Sequence, residues 1–511
     1  MSINEIIDLT GREEITTGIS TDASLEVLIE DLKLTLPRHS KNAIKISYLF
    51  DYWRGKQPIL DRIKEVREDI DNKLVINLAQ SSTRQITGYT FGKPIEFIHK
   101  LEDDVDEMRT LNNCFTVENK SLIDNEIFTD MSVCGLGYRA VIPLKGYDKG
   151  DYELGVSPFS LTRLDPSTTF VVYSTGIPKR VVYGVAYHYE EGIDERGQVV
   201  NFTIYNVYLG NRQFKFKVEG INAHSDLNNE NLIDQTQVLI KDCPIIEYRN
   251  NMSMMGDWEP AISIIDALNV VGSDGVNDIV QFVQSLLVFI NAELDDAQIE
   301  LLKKNKMFSL ISSKELNADV KYIAQQVDAA SVQFLTEWLE GMFDTVVGIP
   351  DRKSRGGGGG DTGEAVKLRD GWGDLEIVAR NKEPYVSKGE RETLKFAIST
   401  LMTYNLINDL KIYDVEIKYS RNKSDNLLVK TQSYSNLVST KTMTPEDSMN
   451  VCDFTNDSKE TAGKGKAYWD EEADKVMEQE NTKLGLQAEL TRAASETTGD
   501  ENNENNGNQK D

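Results

Sequence analysis

The chain has 511 residues, 40% hydrophobic and 8% aromatic, which is long enough for about two to four domains and a sizeable core. Its 83 acidic residues against 56 Lys and Arg leave a net charge of −27, which excludes a protein that grips DNA through a broad basic surface; an acidic total also serves plain solubility. The longest apolar run, Leu286–Ile290, is far short of the roughly 20 residues of a membrane span. The start, MSINEIIDLTGREE, lacks a basic residue followed by an apolar core, so a cytoplasmic protein made without a secretory signal is expected.

Residues 1–24 are expected to form a flexible arm. From residue 25 to about 110, apolar positions recur every three to four residues, as in EVLIEDLKLTL and LVINLAQSSTRQITGY, and predict helices; Gly55, Pro58, Gly92 and Pro94 mark turns. From Tyr152 to Phe216, β-branched and aromatic residues alternate in TTFVVYST, KRVVYGVAYHYE and VNFTIYNVYL, with turn clusters such as EEGIDERGQ between them, and predict short antiparallel strands. HSDLNNENLIDQ reads as an exposed loop before one more strand in DCPIIEYRN. The segment up to residue 256 is therefore α+β.

Asp257 to about Gln284 is apolar at helical spacing, with Ile262, Ile265, Leu268, Val276, Ile279 and Val283 on an expected buried face and Pro260 in the first turn, where its missing N–H is harmless. Leu286 to Ala324 reads as a small mixed insert holding LLVFI, FSLIS and VKYIA around a charged helix, AQIELLKK. A second helix follows from about Asp328 to Val347, with Val332, Leu335, Leu339, Met342 and Val346 at steps of three and four. Two helices bracketing an insert predict a hairpin with a small domain at its tip. After Gly348-Ile349-Pro350 and a glycine stretch, a helical pattern runs from Asp361 to about Tyr404, bent near Pro384, whose ring removes a backbone hydrogen bond. A strand in YDVEIKY and short helices complete the ordered part, and residues 493–511 are too polar to order themselves.

The glycine stretch, RGGGGGDTGEAVKLRDGW from Arg355 to Trp372, raises the question of a phosphate loop. Such a loop needs G-x-x-x-x-G-K-[S/T], because lysine neutralises the phosphates and the hydroxyl binds magnesium. With Gly358 and Gly363 as the two glycines, those positions hold Glu364 and Ala365, and a carboxylate there repels phosphate. No strand leads into the loop, so a dinucleotide fingerprint fails too. Helical pattern on both sides favours a mobile loop over a domain linker. Its basic rim, Arg352, Lys353 and Arg355, fits either a solvated turn or contact with an anion.

Cys114, Cys134, Cys243 and Cys452 lie far apart without a CxxC pair and are expected to be reduced and mostly buried. His39, His99, His188 and His224 are as scattered, so no metal, cofactor or catalytic dyad is expected. Paired carboxylates are abundant and none can be singled out for acid–base work.

The order of parts resembles the portal proteins of tailed bacteriophages, of the siphophage type infecting Gram-positive hosts. The resemblance rests on YWRGKQPIL (Tyr52–Leu60), NKLVINLAQSSTRQITGYTFGKPI (Asn72–Ile95), the helix–insert–helix–loop–long helix succession from Asp257 to Tyr404, and DVEIKYSRNKSDN (Asp414–Asn426). It implies an α+β, multidomain portal fold: a wing at 25–256, a first stem helix at 257–285, a clip at 286–325 and a second stem helix at 326–350. A tunnel loop at 351–362, a long bent helix returning to the wing at 363–410, a wing strand at 411–420 and a helical crown at 421–492 would follow. On that likeness Ile262, Ile265, Leu268, Val332, Leu335, Leu339 and Met342 pack the stem. Arg352, Lys353, Ser354, Arg355, Gly356, Gly357, Gly358, Gly359, Gly360, Asp361 and Thr362 form the loop facing DNA.

The same likeness implies a ring of twelve copies at one capsid vertex, assembled in the host cytoplasm and retained in the virion. Double-stranded DNA would pass through it, and the terminase large subunit, the major capsid and scaffolding proteins and a head-completion adaptor would dock on it. No cofactor, no metal, no membrane and no enzymatic activity of its own are implied. Five consecutive glycines depart from the usual tunnel loop and speak against side-chain gripping at its apex, leaving a seal or a compliant lining made mainly of backbone. Another phage head or connector protein, and a soluble α+β enzyme, are the alternatives.

Overall fold

Six strands with one long helix laid across them make the first layer in the computed structural model, which describes residues 11–64, 68–100, 106–193, 197–221, 224–283, 286–290, 319–323, 329–350, 372–421, 427–440, 443–452 and 458–501. A short β1 (Thr16–Thr17) pairs in parallel with β5 (Thr169–Ser174); β6 (Val181–Ile193), β7 (Val199–Leu209), β8 (Arg212–Glu219) and β9 (Leu232–Gln237) then follow antiparallel. Across them lies α1 (Leu25–Trp53), whose N-cap Ser24 accepts a hydrogen bond from Val27 N–H. Its Leu28, Ile29, Leu32 and Leu36 form one apolar stripe buried against Phe170, Tyr183, Tyr205 and Phe214.

A second, three-stranded antiparallel sheet runs in the order β10 (Ile245–Arg249), β3 (Leu136–Pro143), β4 (Phe159–Leu164), with the one-turn α5 (Lys149–Glu153) in the connection from β3 to β4. Its core is shared with α3 (Asp106–Val117), α4 (Lys120–Cys134) and the long α8 (Trp372–Thr403), through Leu111, Phe128, Tyr248, Val386 and Leu401. β2 (Glu96–His99) pairs antiparallel with β13 (Val415–Lys418), joining positions far apart in the chain. A third cluster gathers Tyr52 of α1, Ile86 of α2 (Leu78–Thr90), Trp258, Ile262 and Ile265 at the start of α6 (Ile262–Val283), Phe343 and Val347 at the end of α7 (Ala329–Val347), and Leu375 of α8. Between α6 and α7, β11 (Leu286–Ile290) pairs antiparallel with β12 (Asp319–Ile323).

Residues 1–100 and 105–422 form one compact unit, and residues 101–104 with 423–511 form another. In the second, α9 (Leu427–Ser439), α10 (Pro445–Cys452) and α11 (Ser458–Glu501) succeed one another, and Thr444 caps α10 by accepting from Asp447 N–H.

Several expectations need correction. The arm is packed from Gly11 onward, because Ile15 and Arg12 are buried and Thr16–Thr17 completes a sheet edge. The run from 25 to 110 is not helical throughout. Pro58–Asp61 is a 3-10 turn, residues 68–77 form neither helix nor strand, and Glu96–His99 is a strand; the side chain of Asn77 starts α2 by accepting from Gln80 N–H. HSDLNNENLIDQ contains two 3-10 turns and the start of β9. On α6, Ile279 is 67% exposed and Val276 39% exposed, where a buried face was expected. The last helix continues to Glu501, past the expected order boundary at 492; the stretch it adds includes Ala493 and Ala494, good helix formers, and contains no proline. The segments FSLIS and AQIELLKK lie outside the described residues.

Candidate functional site

The α6–α7 hairpin is rooted in a small set of buried polar contacts around Trp258. The indole stacks on Tyr52 at 5.4 Å between ring centroids, and its Nε1–H donates to Thr83 Oγ1 at 3.1 Å. On one side of it, Glu259 pairs with Arg12, both side chains fully buried, and also accepts from Gly256 N–H at 2.8 Å. Gly11, at φ +98°, lets the arm pass so close to Ser253 O that a Cβ there would collide with it. Burial pushes the Glu259 carboxyl up, against the pull of the Arg12 charge.

On the other side of Trp258, Lys382 of α8 donates to both oxygens of Asp257, at 2.7 and 2.6 Å, and to Asn250 Oδ1 at 2.7 Å. The start of α6 is thereby tied both to the N-terminal arm and to α8. On either side of Lys382 along α8, Glu376 and Glu383 both pair with Arg421. Burial raises Glu376, but hydrogen bonds from Tyr89 and Arg380 and the Arg421 charge outweigh it and hold the group at about 2. Glu390 meets Lys120 at 2.9 Å and Arg139 at 3.0 Å, and Asp124 pairs with the same two cations. Two cations against two carboxylates leave this buried cluster neutral, with Tyr248 and Thr393 completing its hydrogen bonds. Burial raises Glu390, yet Arg139 and Lys120 bring it below the usual carboxylate range, while burial dominates at Asp124 and raises it.

Beyond the root, the two helices have an unusual makeup. α6 carries Asp266, Asp274 and Asp278, α7 carries Glu337, Glu340 and Asp344, and neither contains a Lys or Arg. Ile262, Ile265, Leu268 and Leu339 are buried and Val332 is half-buried, whereas Leu335 is 40% and Met342 39% exposed. The buried face of α7 is Leu339, Phe343 and Val347, at steps of four; Phe334, Leu335, Trp338, Met342 and Val346 lie on its other sides and are all exposed. Sequence reasoning picked up an apolar period but could not choose within it, because the apolar arc of α7 is broader than the face its own chain buries.

Arg352, Lys353, Ser354, Arg355, Gly356 to Gly360, Asp361 and Thr362 lie outside the described residues. Sequence reasoning did not single out Arg12, Lys382 or Arg139; the only available signal was a basic residue inside an otherwise apolar or helical stretch. Cys114, Cys134 and Cys452 are buried, Cys243 is half-buried, and all four are free. His39 and His224, far apart in sequence, both pack against Tyr187 beneath α1. Among the described residues no group of three or more His, Cys, Asp and Glu could hold a metal, and no helix is long and apolar enough to cross a membrane.

Residues 32–483 match the family described as "Phage portal protein, SPP1 Gp6-like". The chain belongs to that family. Portal proteins of this family are structural components of the phage particle, and the mixed helix-and-sheet architecture above is that of a portal subunit. No curated protein matches the chain. A solved structure titled "Neck of empty GTA particle computed with C6 symmetry" is similar over 73% of this chain and 89% of that chain, at 11% identity and a TM-score of 0.41.

Proposed function

We propose that this portal protein forms a ring of twelve copies at one capsid vertex and lines a channel through which double-stranded DNA is packaged, retained and ejected. In this reading residues 25–256 are the wing, α6 and α7 the stem, and 286–325 the clip. Residues 351–362 are the tunnel loop, α8 the bent helix returning to the wing, and 421–492 the crown.

The observation that carries the reading is the stem pair itself, which combines acidic residues without a basic one and a broad exposed apolar face. Phe334, Leu335, Trp338, Met342 and Val346 lie on one helix, and their exposure in a single chain fits burial against the next copy. Head-to-tail contact of this kind closes into a ring when the rotation between copies closes. A carboxylate-lined wall repels the phosphate backbone and favours sliding over gripping. The basic residues at 352, 353 and 355 then supply passing phosphate contacts that carry no sequence information, on a loop whose glycines keep it compliant.

The subunit supplies no motor. A separate terminase large subunit docks at the clip side, and the major capsid and scaffolding proteins and a head-completion adaptor are the portal's other partners, with assembly in the host cytoplasm. Shortening Gly356–Gly360 tests this reading in a packaging assay. Rings are expected to form as in the natural chain while packaged or retained DNA falls; loss of rings, or unchanged packaging and retention, would overturn it.

A further inference from the structure

The apolar α6 carries three polar residues one turn apart, Asn269, Ser273 and Asn277, and all three are almost fully buried. Their partners are neither each other nor α7. Asn269 Oδ1 accepts from Ile76 N–H at 2.7 Å, Ser273 Oγ from Leu74 N–H at 2.9 Å, and Asn277 Oδ1 from Asn72 N–H at 2.7 Å. An extended strap, Asn72–Ile76, therefore runs antiparallel to α6 and is read by its side chains at every second residue. The two repeats match: four helical residues advance about 6 Å and two extended residues about 6.6 Å.

Packing and further bonds fix this register. Gly272 leaves room for the strap, since a Cβ there would come within 3.1 Å of Leu74 and 3.2 Å of Ile76. Asn269 Nδ2 also donates to Gln57, and Gln57 donates to Asn77, the residue that caps α2. Arg62, just before the strap, pairs with Asp274 at 3.0 Å. The strap thus links the end of α1 and the start of α2 to α6 along its length from Asn269 to Asn277.

We propose that Asn269, Ser273 and Asn277 are positioning residues that zip the strap to the upper stem, so that α6 moves with the wing as far as Asn277 and bends only beyond it. The zipper follows from the geometry alone; only its meaning as a stem device rests on the portal reading. Directly beyond Asn277, Asp278 and Ile279 are exposed.

Amide hydrogen exchange on the full chain, read by mass spectrometry at single-residue resolution, tests it. The amides of Leu74 and Ile76 are expected to be protected to the same degree as those of α6 between Asp266 and Asn277, and those of Asp278–Val283 to exchange faster. Ser273→Ala should lower protection at Leu74 by roughly ten- to a hundred-fold, the scale of a lost buried hydrogen bond. Ser273→Thr, which keeps the hydroxyl, should restore it. Gly272→Val, which leaves all three acceptors in place, should open the strap by crowding and serves as a second route if Ser273→Ala folds poorly. Exchange at Leu74 and Ile76 as fast as in an open loop, or equal protection on both sides of Asn277, would overturn the proposal. Neither outcome bears on whether the chain forms rings, so failure here and failure of the portal reading are told apart.

Discussion

Lys382 ties α8 to Asp257, the acidic residue just before α6, and removing it gives a test with a calculable size. Its ammonium reaches Asp257 and Asn250 at 2.6 to 2.7 Å, and the side chains of Lys382 and Asp257 are each only 7% exposed. Lys382→Met leaves the Asp257 carboxylate buried with the Asn250 amide, at 2.8 Å, as its remaining side-chain donor. Breaking a buried pair from one side costs about 3–5 kcal/mol. The surviving amide places this case near the lower figure, about 3 kcal/mol. At a denaturant slope of about 3 kcal/mol/M, the urea midpoint of the larger unit should fall by about 1 M. The double variant Lys382→Met with Asp257→Leu removes both charges and should recover most of that loss, since apolar replacement of a buried pair is often near neutral. A single variant with an unchanged midpoint, or a double variant whose loss equals the sum of the two singles, would refute the reasoning.

Three more outcomes follow from the same structure. Leu335→Asp should leave the subunit folded by circular dichroism yet block ring formation, whereas Leu339→Asp, at a buried position, should cost about 3 kcal/mol or more and lower the unfolding midpoint; equal effects of the two would mean the faces of α7 are misassigned. His39 is buried against Phe170, with Nε2 on Ser167 O, and burial drives its pKa down to about 4 from 6.5. The unfolded chain then binds the extra proton between those values, so stability is full above pH 6.5 and falls by about 3 kcal/mol as pH drops towards 4; His39→Gln should flatten that slope in urea titrations at a series of pH values, and an unaltered slope would exclude His39 as its source. The purified chain should show no ATP hydrolysis in a phosphate-release assay, and turnover above background would contradict a subunit without a motor.

How far the sequence carried can be read from particular residues. The strands in TTFVVYST, KRVVYGVAYHYE and VNFTIYNVYL, the helices α6 and α7 and the Pro384-containing helix were legible, because period-2 and period-3.6 apolar patterns report local geometry directly. LVINLAQ misled for a physical reason. Its apolar residues have helical spacing, but the backbone N–H groups of Leu74 and Ile76 are bound by side chains of a helix nearly two hundred residues away, and no local window contains that partner. The root contacts were hidden in the same way, since Arg12 and Glu259 look like ordinary surface charges until the fold buries both. On α7 the difficulty was an excess of signal: with apolar residues on several faces, periodicity could not say that Phe343 and Val347 turn inward while Leu335 and Met342 turn outward. That ambiguity is itself what a helix buried on one side by its own chain and on the other by a neighbour would produce.

The central claim is that the exposed apolar face of α7 meets a second copy and that repetition of this contact closes a ring. Electron microscopy of the purified full chain tests it most directly. Rings with a central channel are expected, and a count differing from twelve in isolation would leave the claim standing; monodisperse monomers at high concentration would contradict it.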